Sequence, residues 1–517
     1  MSVPAGQAPA LKPLHGAPLA LLTVAVAFAT FMEILDLSIA NVAVPNIAGN
    51  LGVSASQGTW VISSYSVASA IMVPLTGWIA KRFGEVRTFC LSVTLFVAMS
   101  MLCGLSTSLP MLVFFRLMQG MVSGPMVPLS QALLLSNYPV ERRGTALALW
   151  SMTIIVAPIL GPILGGYITD NFTWPWIFYI NVPIGLAAGA ITWQVLRRRE
   201  TPTLKLPIDV VGLVLLVVGV GSLQLMLDNG NDLDWFGSPL IVGLTVTAAI
   251  ALSYFVAWEL TEANPVVDLS LFARRNFRYG VIALSLGFFG FFATTIIFPL
   301  WLQTTMGYTA TWAGLATAPS GLLAIVLMPL VGRNIQRLPL RLISSFSFVA
   351  FGISAFWFGS FNLDATFGQL VWPRVFQGIG VASFFIPINQ IILSGLPPQR
   401  LAAASGLSNF FRTLAASFAT AISVFVWDHR GTFHHAVLSE YVNAYNPPAN
   451  AYLEQLHDIG LPPDSAYAFV DRMLSQQGVM LATNDVFYAI GVLCLLLIGS
   501  IWLTRPPFTT AGAGGGH

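Results

Sequence analysis

Two carboxylates stand where carboxylates are costly. Glu33 and Asp36 lie inside the long apolar run of residues 18–41. A charge at the centre of a bilayer costs at least about 2.5–3.5 kcal/mol, and such groups persist mainly where function needs them. Residues three apart share one helix face, so both carboxyls can look into one cavity and titrate as a pair. The chemistry open to them is proton uptake and release, and Glu33 could serve equally to hold a substrate. The plainer reading is that one of the two sits near a hydrated interface. Arg116, Arg374 and Arg412 also fall inside apolar runs. Each could reach toward an interface or donate to backbone carbonyls, and Arg374 and Arg412 read as structural.

The elements that must position these groups are helices in lipid. Of 517 residues, 56% are hydrophobic and 9% charged, against roughly 25% charged in a soluble domain. That leaves too little polar surface to cover a soluble core. About 20 mostly apolar residues cross a bilayer. Runs of that kind fall near 18–41, 58–80, 87–105, 110–135, 145–169, 175–196, 208–227, 239–260, 280–303, 312–333, 341–359, 368–393, 403–427 and 484–504. The fold class is therefore an all-α polytopic membrane protein with 14 transmembrane helices, because helices satisfy every backbone group internally and no period-two barrel signal competes. The first run is too long for a cleaved signal segment and reads as a retained span.

Basic residues set the orientation. With both termini cytoplasmic, the inner side holds Lys12, Lys81, Arg82, Arg87, Arg142, Arg143, Arg197, Arg198, Arg199 and Lys205 in its first loops, and Arg274, Arg275, Arg278, Arg333, Arg337, Arg341, Arg400 and Arg505 in the rest. The outer side keeps Arg430 and Arg472, both in its one long loop, 428–483.

An internal repeat divides the chain. Arg116-Leu-Met-Gln119-Gly120 recurs as Arg374-Val-Phe-Gln377-Gly378, while Pro128 and Gln131 answer to Pro387 and Gln390. Upstream, Trp60, Pro74, Gly77 and Arg82 have counterparts at Trp312, Pro329, Gly332 and Arg337. Two six-helix bundles of the same orientation follow, 1–200 and 276–517, with an inserted helical pair in 201–275. Parallel halves around a central site are an alternating-access architecture. Gln131, Asn389, Gln390, Asn409, Phe288, Phe289 and Phe410 are candidates to line that site, since a polyspecific pocket wants apolar walls with sparse hydrogen bonders.

Other features carry less. Cys90, Cys103 and Cys494 have no metal or redox spacing and read as apolar filler. His429, His434, His435 and His457 lie in the long outer loop and read as solvated surface, so no metal and no cofactor is expected; that loop could also dock a partner protein. Within the loop, 449–457 and 465–476 have helical periodicity. The absence of GxxxxGK[ST], HExxH and GxSxG argues against ATP-driven transport and against an enzyme. A net charge of +2 offers no case for nucleic acid. Single acids in one helix build no channel ring.

Several of these segments match a known family. Met32-Glu33-Ile34-Leu35-Asp36 through Asn41-Val42-Ala43-Val44-Pro45 resembles the first-helix signature of the fourteen-helix drug:proton antiporters. Gly77-Trp-Ile-Ala-Lys81-Arg82-Phe-Gly84 resembles the loop motif of the major facilitator superfamily, and Arg116 through Gly120 its fourth-helix motif. Ala157-Pro158-Ile-Leu-Gly161-Pro162-Ile-Leu-Gly165-Gly166 is similar to the antiporter motif, and Trp174-Pro-Trp176 through Asn181-Val-Pro183-Ile-Gly185 to the drug-exporter signature after it. The likeness runs nearly end to end and is strongest with the EmrB-like subgroup.

The resemblance implies a major facilitator fold and proton-driven export of hydrophobic drugs from the inner membrane. It also implies a periplasmic adaptor of the EmrA type and an outer-membrane channel of the TolC type as partners. Arg116 would modulate proton transfer at a buried carboxylate. Gly77, Arg82 and Gly84 would belong to a gating loop, and Gly161, Pro162, Gly165 and Gly166 to a flexible seam between the halves. The loop motif departs from the superfamily pattern, with Lys81 where an Asp is usual and Glu85 where a base is usual, so its gating salt bridge does not carry over to Lys81. Export of one specific metabolite, a siderophore or a fatty acid, would use the same fold.

Overall fold

The computed structural model describes residues 13–508 apart from 54, 59, 205, 206, 208, 264, 336, 398 and 399. Lys12, Lys205 and the glycine-rich tail ending at His517 lie outside the described residues. The helices in chain order are α1 (Ala17–Leu51), α2 (Ala55–Gly58), α3 (Trp60–Phe83), α4 (Glu85–Gly104), α5 (Leu109–Ser123), α6 (Met126–Asn137), α7 (Arg143–Asn171), α8 (Trp176–Tyr179) and α9 (Asn181–Leu196). They continue as α10 (Val210–Asn229), α11 (Pro239–Glu259), α12 (Arg275–Thr304), α13 (Ala310–Asn334), α14 (Leu340–Phe358), α15 (Phe367–Leu393), α16 (Leu401–Ser439), α17 (Pro447–Asp458) and α18 (Pro463–Trp502). Thirteen spans are long and apolar enough to cross a membrane, and α7 makes 14 when its two arms, bent by 43°, count as one. The α7 bend falls between Pro158 and Ile163, where proline and glycine weaken the helical ladder. The span of α5 and α6 is interrupted at Gly124-Pro125 for the same reason.

The first six spans pack among themselves through α1 on α7, α3 on α5, and α4 on α9; the last six do so through α13 on α15, α14 on α18, and α12 on α16. Helix α10 lies against α3 and α16, and α11 packs chiefly on α10. Trp235, just after α10, reaches the Phe425 ring of α16 at 5.6 Å, and Asn231 donates to the Ala421 carbonyl. At the arginine-rich end, Arg400 pairs with Asp268 and donates to Ser270, tying the start of α16 to the segment before α12.

Two close contacts join the series at that same end. A Cβ on Gly77 of α3 would fall 2.8 Å from the Ala403 Cα of α16. A Cβ on Gly332 of α13 would fall 2.5 Å from the Gly144 carbonyl oxygen of α7. Gly77 and Gly332 are repeat counterparts, so the contacts are two versions of one helix crossing. Glycine is needed at both because backbones touch there.

The segment after residue 428 differs from the expected loop. Helices α16 and α18 have 39 and 40 residues, about 60 Å each at 1.5 Å per residue. That is roughly twice the hydrocarbon thickness. Both continue past the membrane as a paired extension closed by α17. Gly478 lets α18 approach the Gly431 carbonyl. Trp427 donates to Thr483 at 2.8 Å, Arg430 and His434 both reach Asp485 at 2.7 Å, and His435 meets Asp471 at 2.9 Å. These cross-helix partners keep the chain helical where polarity alone suggested a loop.

Gly144→Val would push a side chain into Gly332 and Ile335 without touching any titratable group. It is expected to favour the form open at the arginine-rich face. The readout is a longer distance between spin labels at Phe83 and Asn334 than in the parent protein; an unchanged distance would mean that this crossing does not govern closure.

Candidate functional site

Asp36 of α1 and Arg116 of α5 form a salt bridge of 2.5 Å, with side chains 1% and 0% exposed. Several side chains converge on the pair. Asn181 at the start of α9 donates to Asp36 Oδ1 at 2.7 Å and to Ser100 Oγ at 3.0 Å. Gln119 donates to the same Asp36 oxygen at 3.3 Å and accepts from Arg116 Nη1 at 2.8 Å. Arg116 Nε donates to the Val61 carbonyl at 3.0 Å, and the guanidinium lies 4.3 Å from the Tyr65 ring centre. Five helices (α1, α3, α4, α5 and α9) thus contribute to one ion pair. Removing one partner from such a buried pair costs about 3–5 kcal/mol, because the other charge is left stranded.

Glu33 sits one turn earlier on α1 and takes no part in that shell. It is 7% exposed, and its Oε2 has no hydrogen-bond partner. The charges that act on it are Arg412 of α16 and Asp36. Arg412 donates from Nε to Asn409 Oδ1 at 3.1 Å, with its guanidinium 5.0 Å from the Phe288 ring centre.

The repeat builds the arginine site twice, but with one substitution. Arg374 donates to Gln377 at 2.6 Å and to the Thr294 carbonyl at 2.7 Å, while Gln377 donates to Thr294 Oγ1 at 3.0 Å. Arg116 and Asp36 are 80 residues apart, as are Arg374 and Thr294; Gln119–Asp36 and Gln377–Thr294 are both separated by 83. Thr294 therefore occupies the place of Asp36. Arg374 is 1% exposed, stacks over Phe298 and Phe358, and forms no salt bridge among the described residues.

At the midline the two series share hydrogen bonds. Gln131 of α6 donates to Asn389 of α15 at 3.1 Å, across a separation of 258 residues, and accepts from Asn409 of α16 at 3.3 Å. Gln131 thus bonds to Asn389, while Gln390, its counterpart in the sequence alignment of the halves, is half-buried and outside this network. Phe410 and Phe289 are half-buried, and Phe410 meets Phe411 at 5.3 Å.

Among the motif residues, Gly77 meets the other half, as described. Gly84 has φ +94° and precedes α4, a conformation that favours glycine; Arg82 is half-buried at the end of α3. Gly161 and Gly165 face Ser38 and Ile39 of α1 in their own half, while Ile163 between them comes near Gly314 of α13 in the other. Ser38 Oγ donates to the Pro158 carbonyl at 3.2 Å, Gly166 has open space around it, and the Pro162 side chain lies outside the described residues. Sequence reasoning passed over Gln119, Asn181 and Thr294 as site residues, although adding the Arg116–Arg374 offset to Asp36 reaches Thr294.

Arg116→Gln strands a buried carboxylate, whereas Arg374→Gln removes a charge that has only neutral partners. Thermal unfolding of detergent-purified protein is expected to rank Arg116→Gln well below Arg374→Gln. Thr294→Asp, which offers Arg374 a counter-charge, is expected to raise the midpoint above that of the parent. Equal losses for the two arginine variants would contradict this assignment.

The sequence profile of the Major Facilitator Superfamily matches residues 26–420. The multidrug export protein EmrB of Escherichia coli (strain K12) is 52% identical over 506 residues, covering 98% of this chain and 99% of that protein. The fatty acid resistance protein FarB of Neisseria gonorrhoeae is 47% identical, covering 98% and 99%. The proton:xylose symporter XylE, at 14% identity, shares the fold with a TM-score of 0.58 over 94% of this chain and 95% of its own. The repeated helix bundles, the first with a buried ion pair at its core, together with these matches, place the chain in the major facilitator superfamily, as a multi-pass membrane transporter of the branch that holds the EmrB multidrug export proteins.

Proposed function

We propose that the protein is a drug/proton antiporter of the inner membrane, with both termini cytoplasmic, that exports hydrophobic toxic compounds. The observation that carries this reading is the Asp36–Arg116 pair. A proton on Asp36 cancels its charge, ends the ion pair, and leaves Arg116 to Gln119 and the Val61 carbonyl. Because Asn181 and Gln119 also hold Asp36, gain or loss of that proton changes the forces between α1, α5 and α9 together. A proton entering from outside and leaving inside would supply about 2.3 kcal/mol per 100 mV and about 1.36 kcal/mol per pH unit.

In this reading Glu33 is the second acid, facing the cavity between the halves, where Gln131, Asn389, Gln390, Asn409 and Phe410 meet cargo. The name of EmrB in Escherichia coli supports drugs as that cargo. The paired extension of α16 and α18 would stand on the outer side, available to a periplasmic adaptor of the EmrA type that leads to an outer-membrane channel of the TolC type. FarB, a fatty acid resistance protein by name, favours a second reading in which one class of amphipathic metabolite is the cargo.

Drug-induced proton release from purified protein tests the proposal, with a hydrophobic uncoupler and a quinolone as ligands. The parent protein is expected to release protons, Asp36→Asn to release none, and Glu33→Gln to bind drug more weakly while still releasing protons. Parent-like release from both variants would remove Asp36 and Glu33 as carriers. Response to a long-chain fatty acid alone, with no response to either drug, would favour the metabolite reading.

A further inference from the structure

Between α4 and α9, on the outer surface of the first six spans, lies a groove of about 570 Å³ whose walls are two parallel stripes. Arg87, Leu91 and Thr94 form one, and Leu186, Gly189 and Trp193 the other. Each stripe runs over eight residues, about 10 Å along a helix, so the groove lies within one leaflet of a core about 30 Å thick. Its walls are apolar in effect. Thr94 Oγ1 donates to its own helix at the Cys90 carbonyl, at 2.8 Å. Gly189 keeps the floor open, and a Cβ there would meet Val93 at an ordinary 3.5 Å.

The mouth is basic. The Arg87 side chain is 67% exposed, and Arg197 and Arg198, at the end of α9, are exposed beside the same leaflet edge. Glu200 offsets part of this charge through a long ion pair with Arg87. Its oxygens accept from the backbone amides of Val86 and Arg87 at 3.0 and 2.9 Å, capping α4, and it stays 3.9 Å from the Arg87 guanidinium. Trp193, 43% exposed at this end, is the residue type that settles at the headgroup level.

We propose that this groove is a binding site for an anionic phospholipid of the arginine-rich leaflet. One acyl chain lies along Leu91, Leu186 and Gly189, and the phosphate is held by Arg87 with Arg197 and Arg198 beside it. Charge complementarity selects the headgroup, and the gap left by Gly189 selects a chain over a flat helix contact. The site stands apart from the Asp36–Arg116 pair and does not depend on what the transporter carries.

Native mass spectrometry of the full-length protein, mixed with phosphatidylglycerol and phosphatidylcholine of equal chain length, tests it. The parent is expected to retain phosphatidylglycerol several-fold over phosphatidylcholine. Gly189→Leu should lose one bound lipid of either kind, and the combined Arg87→Gln, Arg197→Gln, Arg198→Gln variant should keep that lipid but not the preference. Thermal unfolding of each variant confirms that it is folded. Equal retention of both lipids by the parent would overturn the proposal. So would an undiminished lipid count in Gly189→Leu, or an undiminished preference in the arginine variant.

Discussion

The Asp36–Arg116 pair constrains more of this molecule than any other contact. Two charges with almost no exposure are costly in a lipid-embedded bundle unless a counter-charge and hydrogen-bond partners offset the loss of water. That requirement fixes Asn181 at the head of α9, Gln119 one turn along α5, and the Val61 carbonyl on α3. The same requirement explains why Tyr65 and Phe178 present rings to the guanidinium rather than aliphatic chains. A cation over an aromatic face recovers part of what it loses on leaving water. The positions of five helices are thus tied to one ion pair.

The second half applies the same rules with a different outcome. With Thr294 in the acid's place, Arg374 has only dipoles around it: a carbonyl, a glutamine and two rings. Thr294 has no charge to offer Arg374, so the ion pair of the first half has no counterpart in the second. At the midline they are not independent, because Gln131, Asn389 and Asn409 link α6 with α15 and α16. The glycine crossings of α3 on α16 and of α7 on α13 close one face.

Most of the architecture was legible in the sequence, because lipid imposes a length and a composition on every span. Runs of apolar residues read as helices and became helices, and the Arg116/Arg374 repeat pointed to paired bundles. What stayed hidden depends on angular position about a helix axis. Glu33 and Asp36 stand three residues apart, yet one is held by three hydrogen-bonding atoms and the other has an unpartnered oxygen; spacing alone treats them as equals. The glycines at 161 and 165 signal close packing but not against what; they face α1, while Ile163 between them comes near α13. The polar segment after α16 showed helical periodicity at 449–457 and 465–476 but not the pairing of α16 with α18, because the stabilising contacts, such as Arg430 and His434 on Asp485, join residues more than 50 apart in sequence.

On the proposed antiport, this angular difference would give the two acids separate tasks. A proton taken up by Asp36 would have to displace or reorient Arg116, Gln119 and Asn181 around it, which would couple its charge to helix positions. Glu33 keeps one buried oxygen without a hydrogen-bond partner, on a helix face near Arg412. That oxygen would be open to a donor from a bound molecule. A transporter that must let cargo and proton influence one another, while keeping them on separate atoms, would be served by two carboxyls one turn apart, one held by the protein and the other left for the cavity.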